Sequence, residues 1–394
     1  MYKVVDNKFN IPEELIFCMG KRDNNEKRDF LFISKLLGKH LSVDPDVVKS
    51  TGYLLSSLKY GFNNESYLSC IKGKSQSYFS ERANDKDVLI IGFCETATAL
   101  GMSVAASVYG SCYITTTREN IQNINQILRF EEPHSHASIH NMYSDSFDLN
   151  RFKEIIFVDD EITTGVSVLN LIKEIVKISD VRKFSILTIL DWRSEIMKDA
   201  FKRYASENKT IINVYSLISG YIHETKPLIY KNKNVTNIEK TLDSISLNVF
   251  KRQIVSTDEN PHMAYVSSTG RFGIDSDDIA AIEEFSNTTA EMISGHLGSN
   301  NHILVLGHGE NIYIPSRVAS HLKTFGFDVL FRTTSRTPIY CDGKIIKDVQ
   351  TFVDRGVKYH FYNRKEAETF DKVIMLADTP FDKMICNNLT VFNL

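Results

Sequence analysis

Apolar positions along this chain follow two alternating periods. Val88-Leu89-Ile90-Ile91 is a continuous apolar run closed by Gly92, which predicts a short buried parallel strand. Downstream, the spacing predicts helices over 98–107, 167–177 and 194–206. Between them it predicts strands over 111–117, 154–160 and 184–192. Upstream, Phe30, Ile33 and Leu37, with Leu36 beside them, fall at helical intervals. They predict a helix over 27–40 stopped by Gly38, and a second helix is predicted over 46–60. Strands that alternate with helices predict an α/β fold with a doubly wound parallel sheet, in which ligands sit at the carboxyl ends of the strands.

Residues 225–262 are rich in Lys, Asn, Ser and Thr with weak periodicity, and read as a connection. A second α/β domain is expected from Met263, with helices over 276–296 and 316–324 and strands over 303–306, 328–333 and 372–376. The expected division is therefore 1–224, 225–262 and 263–394, in keeping with the two or three domains that 394 residues suggest. A net charge of −3, from 46 basic and 49 acidic residues, is no electrostatic footprint for nucleic acid or an anionic membrane. The apolar runs are strand-sized, far short of a membrane span. The first ten residues lack the charged and then greasy pattern of a secretion signal. Six cysteines without a CxxC pair read as reduced thiols in the cytoplasm.

One run carries most of the chemistry: Ile155-Ile156-Phe157-Val158-Asp159-Asp160-Glu161-Ile162-Thr163-Thr164-Gly165-Val166-Ser167. The strand delivers two carboxylates to its carboxyl end, where they can accept hydrogen bonds from vicinal sugar hydroxyls. The Thr-Thr-Gly turn and the helix after it converge several backbone N–H groups, a cradle for a phosphate. A sugar 5-phosphate satisfies both halves of the run. A solvated acidic turn capping a helix is the plainer alternative for a lone Asp-Asp.

The run resembles the phosphoribosyl pyrophosphate (PRPP) signature of type I phosphoribosyltransferases. That resemblance implies that Asp159 and Asp160 hold the ribose hydroxyls and share a Mg²⁺ shell. Thr163, Thr164, Gly165, Val166 and Ser167 would hold the 5-phosphate. Glu161 departs from the family, which has an apolar residue there, and Thr163 is closer to the orotate type. By the same resemblance Glu95, Thr96, Ala97 and Thr98, after the first strand, form the pyrophosphate loop. Glu95 is unusual in a loop that meets a polyanion: it could accept from Mg²⁺-bound water or simply start the helix. Arg118, in Thr115-Thr116-Thr117-Arg118-Glu119, is the candidate cation for the departing pyrophosphate, against a plain surface arginine. His134 and His136 fall where orotate-type enzymes carry a mobile hood; His136 is the catalytic candidate, with a solvated loop histidine equally open. Trp192, the one tryptophan, could stack on a base or fill the core.

Together with the predicted helix over 27–40, Glu95-Thr96-Ala97-Thr98, Thr116-Thr117-Arg118 and His134-Ser135-His136-Ala137, the run resembles one subgroup more closely. This is the phosphoribosyltransferase family of bacterial tellurium-resistance clusters, which carries a C-terminal TRSP domain. Here the matching place reads Thr334-Ser335-Arg336-Thr337-Pro338, a departure from the eponymous order. The resemblance implies a Mg²⁺-dependent pentosyltransferase that makes a nucleoside-like metabolite from PRPP and an unidentified base-like acceptor. It leaves a homodimer open.

The second domain echoes the first. Gly92 to Glu95 is repeated as Gly307 to Glu310, and Thr115-Thr116-Thr117-Arg118 as Thr333-Thr334-Ser335-Arg336. Arg336 precedes Asp378 by the interval that separates Arg118 from Asp160. In the echo one acid and the phosphate turn are gone, so the second domain reads as a degenerate copy that does not bind PRPP in the same way. Arg271, His308, Glu310 and Arg336 are its most site-like residues. Two rivals to an enzyme making a nucleotide remain at this level: a PRPP-binding regulator without turnover, and an enzyme running the reaction backwards.

Overall fold

The computed structural model describes residues 2–25, 28–76, 78–131, 139–223, 228–232, 236–237, 240–258 and 260–394. In the first half, β1 (Tyr2–Asn7) is followed by a hairpin of β2 (Phe17–Lys21) and β3 (Phe30–Ser34) and by α1 (Pro45–Tyr60). Next come β4 (Val88–Gly92), α2 (Thr98–Ala106) and β5 (Cys112–Thr115). A second hairpin, β6 (Gln126–Glu131) and β7 (Ile139–Tyr143), leads to β8 (Glu154–Ile162). The half closes with α3 (Val166–Ile178), β9 (Lys183–Asp191), α4 (Glu195–Glu207) and β10 (Ile211–Ile222).

The second half runs through β11 (Ser244–Ser246), α5 (Ser276–Ser294), β12 (His302–Gly307), α6 (Tyr313–Thr324) and β13 (Asp328–Thr333). It continues with a hairpin of β14 (Val349–Asp354) and β15 (Val357–Tyr362), then β16 (Lys372–Ala377) and β17 (Leu389–Asn393). No helix among the described residues is long and apolar enough to cross a membrane.

The first sheet has the order β1-β10-β9-β8-β4-β5, parallel except for β1. The second has the order β11-β17-β16-β12-β13 and is parallel throughout. Four strands correspond in sequence, β9-β8-β4-β5 with β17-β16-β12-β13. Their registers agree as well: Gly92 lies opposite Thr115 and Val158, as Gly307 lies opposite Thr333 and Leu376. Even the hairpins correspond. β6–β7 is tied to its half by mutual backbone bonds between Thr117 and Asn141 (2.9 and 2.8 Å), and β14–β15 by those between Ser335 and His360 (3.0 and 2.7 Å). The echo in the sequence is thus a repeated fold. It differs after Asp378, where no helix follows.

The halves share one contiguous core and exchange arms. Gly270–Ile274, just before α5, pairs with the edge strand β5 of the first sheet: Tyr113 and Ile274 trade backbone bonds of 2.8 and 2.9 Å. Reciprocally the segment 38–43, just before α1, pairs with edge strand β13, where Val43 and Phe331 trade bonds of 2.9 and 2.8 Å. Two glycines make the close approach possible. Gly38 and Gly270 have φ of +69° and +82°, and a Cβ on either would lie under 3 Å from the ring of Phe331 or Tyr113 respectively. Each arm covers an edge that would otherwise present unpaired backbone groups. Helix packing repeats the exchange, α1 against α6 and α2 against α5.

The predicted helix over 27–40 is not formed. Residues Phe30–Ser34 are a strand paired with Phe17–Lys21. The apolar positions serve two different cores. Phe32 packs into the first-half core beside Trp192, while Leu31 and Ile33 pack with Ile339, Ile346 and Tyr362 of the second half. With both faces apolar, the strand's two-residue alternation is invisible in the sequence and a helical interval matches by chance.

Candidate functional site

β8 sits between β9 and β4, and its buried run Ile155–Val158 gives way to half-buried Asp159, Asp160 and Glu161. Asp159 Oδ1 accepts the Asp160 N–H at 2.9 Å, while the chain continues as a strand through both acids to Ile162. After Thr163 and Thr164 the chain reaches Gly165 in the left-handed region, φ +72°, as the N-cap of α3. A side chain there would meet Phe201 and Arg193, at 2.9 and 3.1 Å from a Cβ. The N-cap Gly165 has no side chain, and Thr164 Oγ1 accepts only the Val166 N–H, at 3.4 Å, so the first-turn N–H groups of Ser167 and Val168 have no acceptor within the helix and carry its positive dipole end. This is the geometry of an anion site beside two carboxylates.

The neighbouring strands deliver two more loops to the same edge of the sheet. The Phe93 N–H bonds Val158 O at 3.2 Å and the Thr116 N–H bonds Gly92 O at 2.9 Å, so the loops after β4 and β5 start next to Asp159. Thr116 Oγ1 accepts the Cys94 N–H at 2.9 Å and lies 3.0 Å from His140 Nδ1. That joins the pyrophosphate-loop candidates to the β6–β7 hairpin. The residue preceding Thr96 in the loop, Glu95, is buried, and Thr96 is half-buried.

Two cations that the sequence reading passed over reach this edge. Lys39 Nζ donates to Thr96 Oγ1. Arg28, from the β2–β3 hairpin, pairs with Glu161 at 2.8 Å. Burial pushes the Glu161 carboxyl above its ordinary range; Arg28 opposes that shift and Asp160 adds to it. Assigning 27–40 to a helix hid Lys39, because in a helix it would share no face with a loop on β4.

Of the four second-domain candidates, Glu310 and Arg336 touch this edge, Arg271 is joined to it through Glu310, and His308 lies within its own half. Glu310 Oε1 accepts from Thr117 Oγ1 at 3.0 Å and from the Arg118 N–H at 3.1 Å. Its other oxygen is 3.1 Å from Arg271 Nε, and Arg271 Nη1 is 3.2 Å from Asp378. All three ionic groups are buried, and Arg271 lies over the Tyr265 ring. Burial raises the Glu310 carboxyl, but Arg271, Arg336 and the two donors outweigh it and hold it below the ordinary range. Arg336 Nε is 2.7 Å from Glu95 Oε1, and the Arg336 N–H lies 3.4 Å from Glu95 Oε2. His308 is buried between Thr334 Oγ1 (2.8 Å) and Asp354 (3.1 Å), with Tyr359 and Phe381 against its ring. Phe381, at the sequence position that echoes Thr163, is a buried ring packed against His308 and Phe352.

Trp192 is a correction. It is 2% exposed and packed among Tyr2, Phe17 and Phe32, stacked on Phe32 at 4.9 Å. A ring already covered in this way is not available to stack on a base. His134 and His136 lie outside the described residues.

At its strand ends the parallel sheet thus presents two acids and a helix N-terminus, beside a loop that Lys39 reaches from another element. The chain belongs to the phosphoribosyl transferase family, whose model matches residues 16–221. Residues 268–391 match the TRSP domain, described as C-terminal to that transferase. No curated protein matches the chain.

Solved structures similar to it include adenine phosphoribosyl transferase from Trypanosoma brucei in complex with AMP, pyrophosphate and ribose-5-phosphate. Identity is 12% over 52% of this chain and 78% of that one, with a TM-score of 0.32. The adenine enzyme of Rhodothermus marinus is 13% identical over 52% and 95%, TM-score 0.32. Orotate phosphoribosyltransferase of Francisella tularensis is 10% identical over 50% and 79%, TM-score 0.25. At that level of likeness nothing about activity is carried over from them.

Proposed function

We propose that the first half transfers ribose 5-phosphate from PRPP to a nitrogen acceptor, releasing pyrophosphate. The observation that carries this reading is the run from Asp159 to Ser167. It sets two adjacent carboxylates and a helix start with free first-turn N–H groups at one strand end, with Gly165 in the left-handed conformation between them. Asp159 and Asp160 accept from the ribose 2- and 3-hydroxyls, and Thr163–Ser167 with the N–H groups of α3 hold the 5-phosphate. The 93–98 loop, Lys39 and Arg118 face the pyrophosphate and stabilise the charge that gathers on it as the C1–O bond breaks. His136, with His134 as the other candidate, is proposed from the resemblance alone as proton donor to the leaving group.

Two adjacent carboxylates together with substrate phosphate oxygens are a donor set that suits Mg²⁺. Asp159 and Asp160 are the residues that would hold it, and when bound the ion supplies neutralising charge to the leaving group. The acceptor is a base or base-like ring, and the product a nucleoside monophosphate or an analogue.

Calorimetric titration with PRPP tests the reading. One equivalent should bind in the presence of Mg²⁺, and chelation should weaken it; absence of binding heat and of competition by pyrophosphate would sink the proposal. In the same titration Lys39→Ala should weaken PRPP by at least about tenfold. This follows from the loss of one charge-assisted hydrogen bond, worth roughly 1.5–3 kcal/mol. An unchanged affinity would remove Lys39 from the site.

A further inference from the structure

A carboxylate in a loop that must receive a polyanion needs a counter-charge, and Glu95 is ion-paired with a guanidinium. Its partner comes from the other half. Arg336 Nε sits 2.7 Å from Glu95, and the same guanidinium is held from behind by the Tyr359 hydroxyl, at 3.2 Å from Nε and 2.9 Å from Nη2. The contact is one side of a reciprocal exchange. Glu95 and Glu310 occupy equivalent places after β4 and β12, and Arg118 and Arg336 equivalent places after β5 and β13. Each glutamate faces the backbone N–H of the other half's arginine, Glu310 that of Arg118 at 3.1 Å and Glu95 that of Arg336 at 3.4 Å.

The same pseudo-two-fold relation governs the exchanged arms and the α1–α6 and α2–α5 packings. Such self-complementary contacts are those of a two-fold dimer, here made between two halves of one chain. The halves differ where ligand chemistry is concerned. Only the first keeps paired acids and a helix after β8. In the second, the corresponding sequence positions hold Asp378, paired with Arg271, and the buried Phe381.

We infer that the second half is a built-in partner subunit that completes the first site, and that Arg336 is its contribution, neutralising Glu95 so that the 93–98 loop accepts a pyrophosphate group. This inference rests on the transfer reading above. Arg336 acts through Glu95 and is a positioning residue. The repulsive element is the Glu95 carboxylate itself, so the inference makes a prediction that a purely structural contact does not: removing Glu95's charge should repair the loss of Arg336.

The test uses the full-length chain and two probes, PRPP and inorganic pyrophosphate, titrated with Mg²⁺ into the parent, Arg336→Ala, Arg336→Lys and the double variant Arg336→Ala/Glu95→Gln. Near-ultraviolet dichroism controls for folding. Arg336→Ala should weaken both probes by about thirtyfold, since a like charge facing a bound anion costs of the order of a few kcal/mol. Arg336→Lys should retain most of the affinity, and the double variant should recover at least about tenfold of the loss. A double variant no better than Arg336→Ala, or an Arg336→Ala that binds like the parent, would overturn the inference while leaving the transfer reading in place. Failure of the parent itself to bind PRPP would overturn both.

Discussion

Asp160→Asn is expected to bind PRPP at least about a hundredfold more weakly than the parent and to unfold at no lower a temperature. The substitution keeps shape and volume but turns an acceptor-only group into one that is half donor. A hydrogen bond to a charged group is worth roughly 1.5–3 kcal/mol, and an amide facing ribose hydroxyls loses the charge and one acceptor together. A hundredfold corresponds to about 2.7 kcal/mol, within that range.

Stability should hold because Asp160 lies in a run of three acids whose charges repel one another. Its charge is one reason the Glu161 carboxyl stands above its ordinary range, after burial. In Asp160→Asn the Glu161 carboxyl should therefore titrate at lower pH, which carbon-detected NMR can follow. Parent-like PRPP affinity in this variant would mean that the ribose is bound elsewhere.

Arg271→Ala carries the largest expected loss of stability, about 3–5 kcal/mol by denaturant unfolding, since it strands two buried carboxylates without their partner. Arg271, Glu310 and Asp378 are each 5% exposed or less. The pH dependence follows from Glu310. Its carboxyl is held below the ordinary range in the parent, so it contributes stability that is present above the unfolded-state value and lost as pH falls through the depressed folded one.

Without Arg271 the burial cost dominates instead, the Glu310 carboxyl moves up, and protonation relieves the stranded charge. The stability gap between variant and parent should therefore be widest at neutral pH and narrow on acidification. A gap that is constant with pH would mean that Arg271 acts through packing on Tyr265 and not as a counter-ion. Because Glu310 also accepts from Thr117 Oγ1 and the Arg118 N–H, the loss should reach the first site as a lower turnover number.

What the sequence made legible follows from how local each signal is. The run into Asp159 and Asp160 combines a four-residue apolar strand, a glycine turn and an amphipathic helix, all set by near neighbours, and the fold reproduces it within a residue or two. The echo was visible because Gly, Thr, Arg and Asp recur at equal intervals, and the matching strand registers turn that interval into a repeated sheet. The misread segment is the one whose environment is not local. Phe30–Ser34 is covered on one face by its own half and on the other by Ile339, Ile346 and Tyr362, more than 300 residues away.

The partner of Glu95 is equally non-local, 241 residues further along the chain. Helix start and Mg²⁺-water acceptor were the two readings of that residue from its neighbours, and the ion pair with Arg336 belongs to neither. Trp192 offered no local signal to separate base stacking from core, and the aromatic cluster around it decides for core.

A chain that joins ribose 5-phosphate from PRPP to a nitrogen acceptor must release pyrophosphate in step with the transfer. Purified chain with Mg²⁺ and PRPP, presented with a panel of purine, pyrimidine and other nitrogen heterocycles, should release pyrophosphate with at least one acceptor. A matching ribonucleotide should form, and both should vanish in Asp160→Asn. Tight PRPP binding with no acceptor-dependent pyrophosphate across the panel would contradict the account and favour a chain that senses PRPP without consuming it.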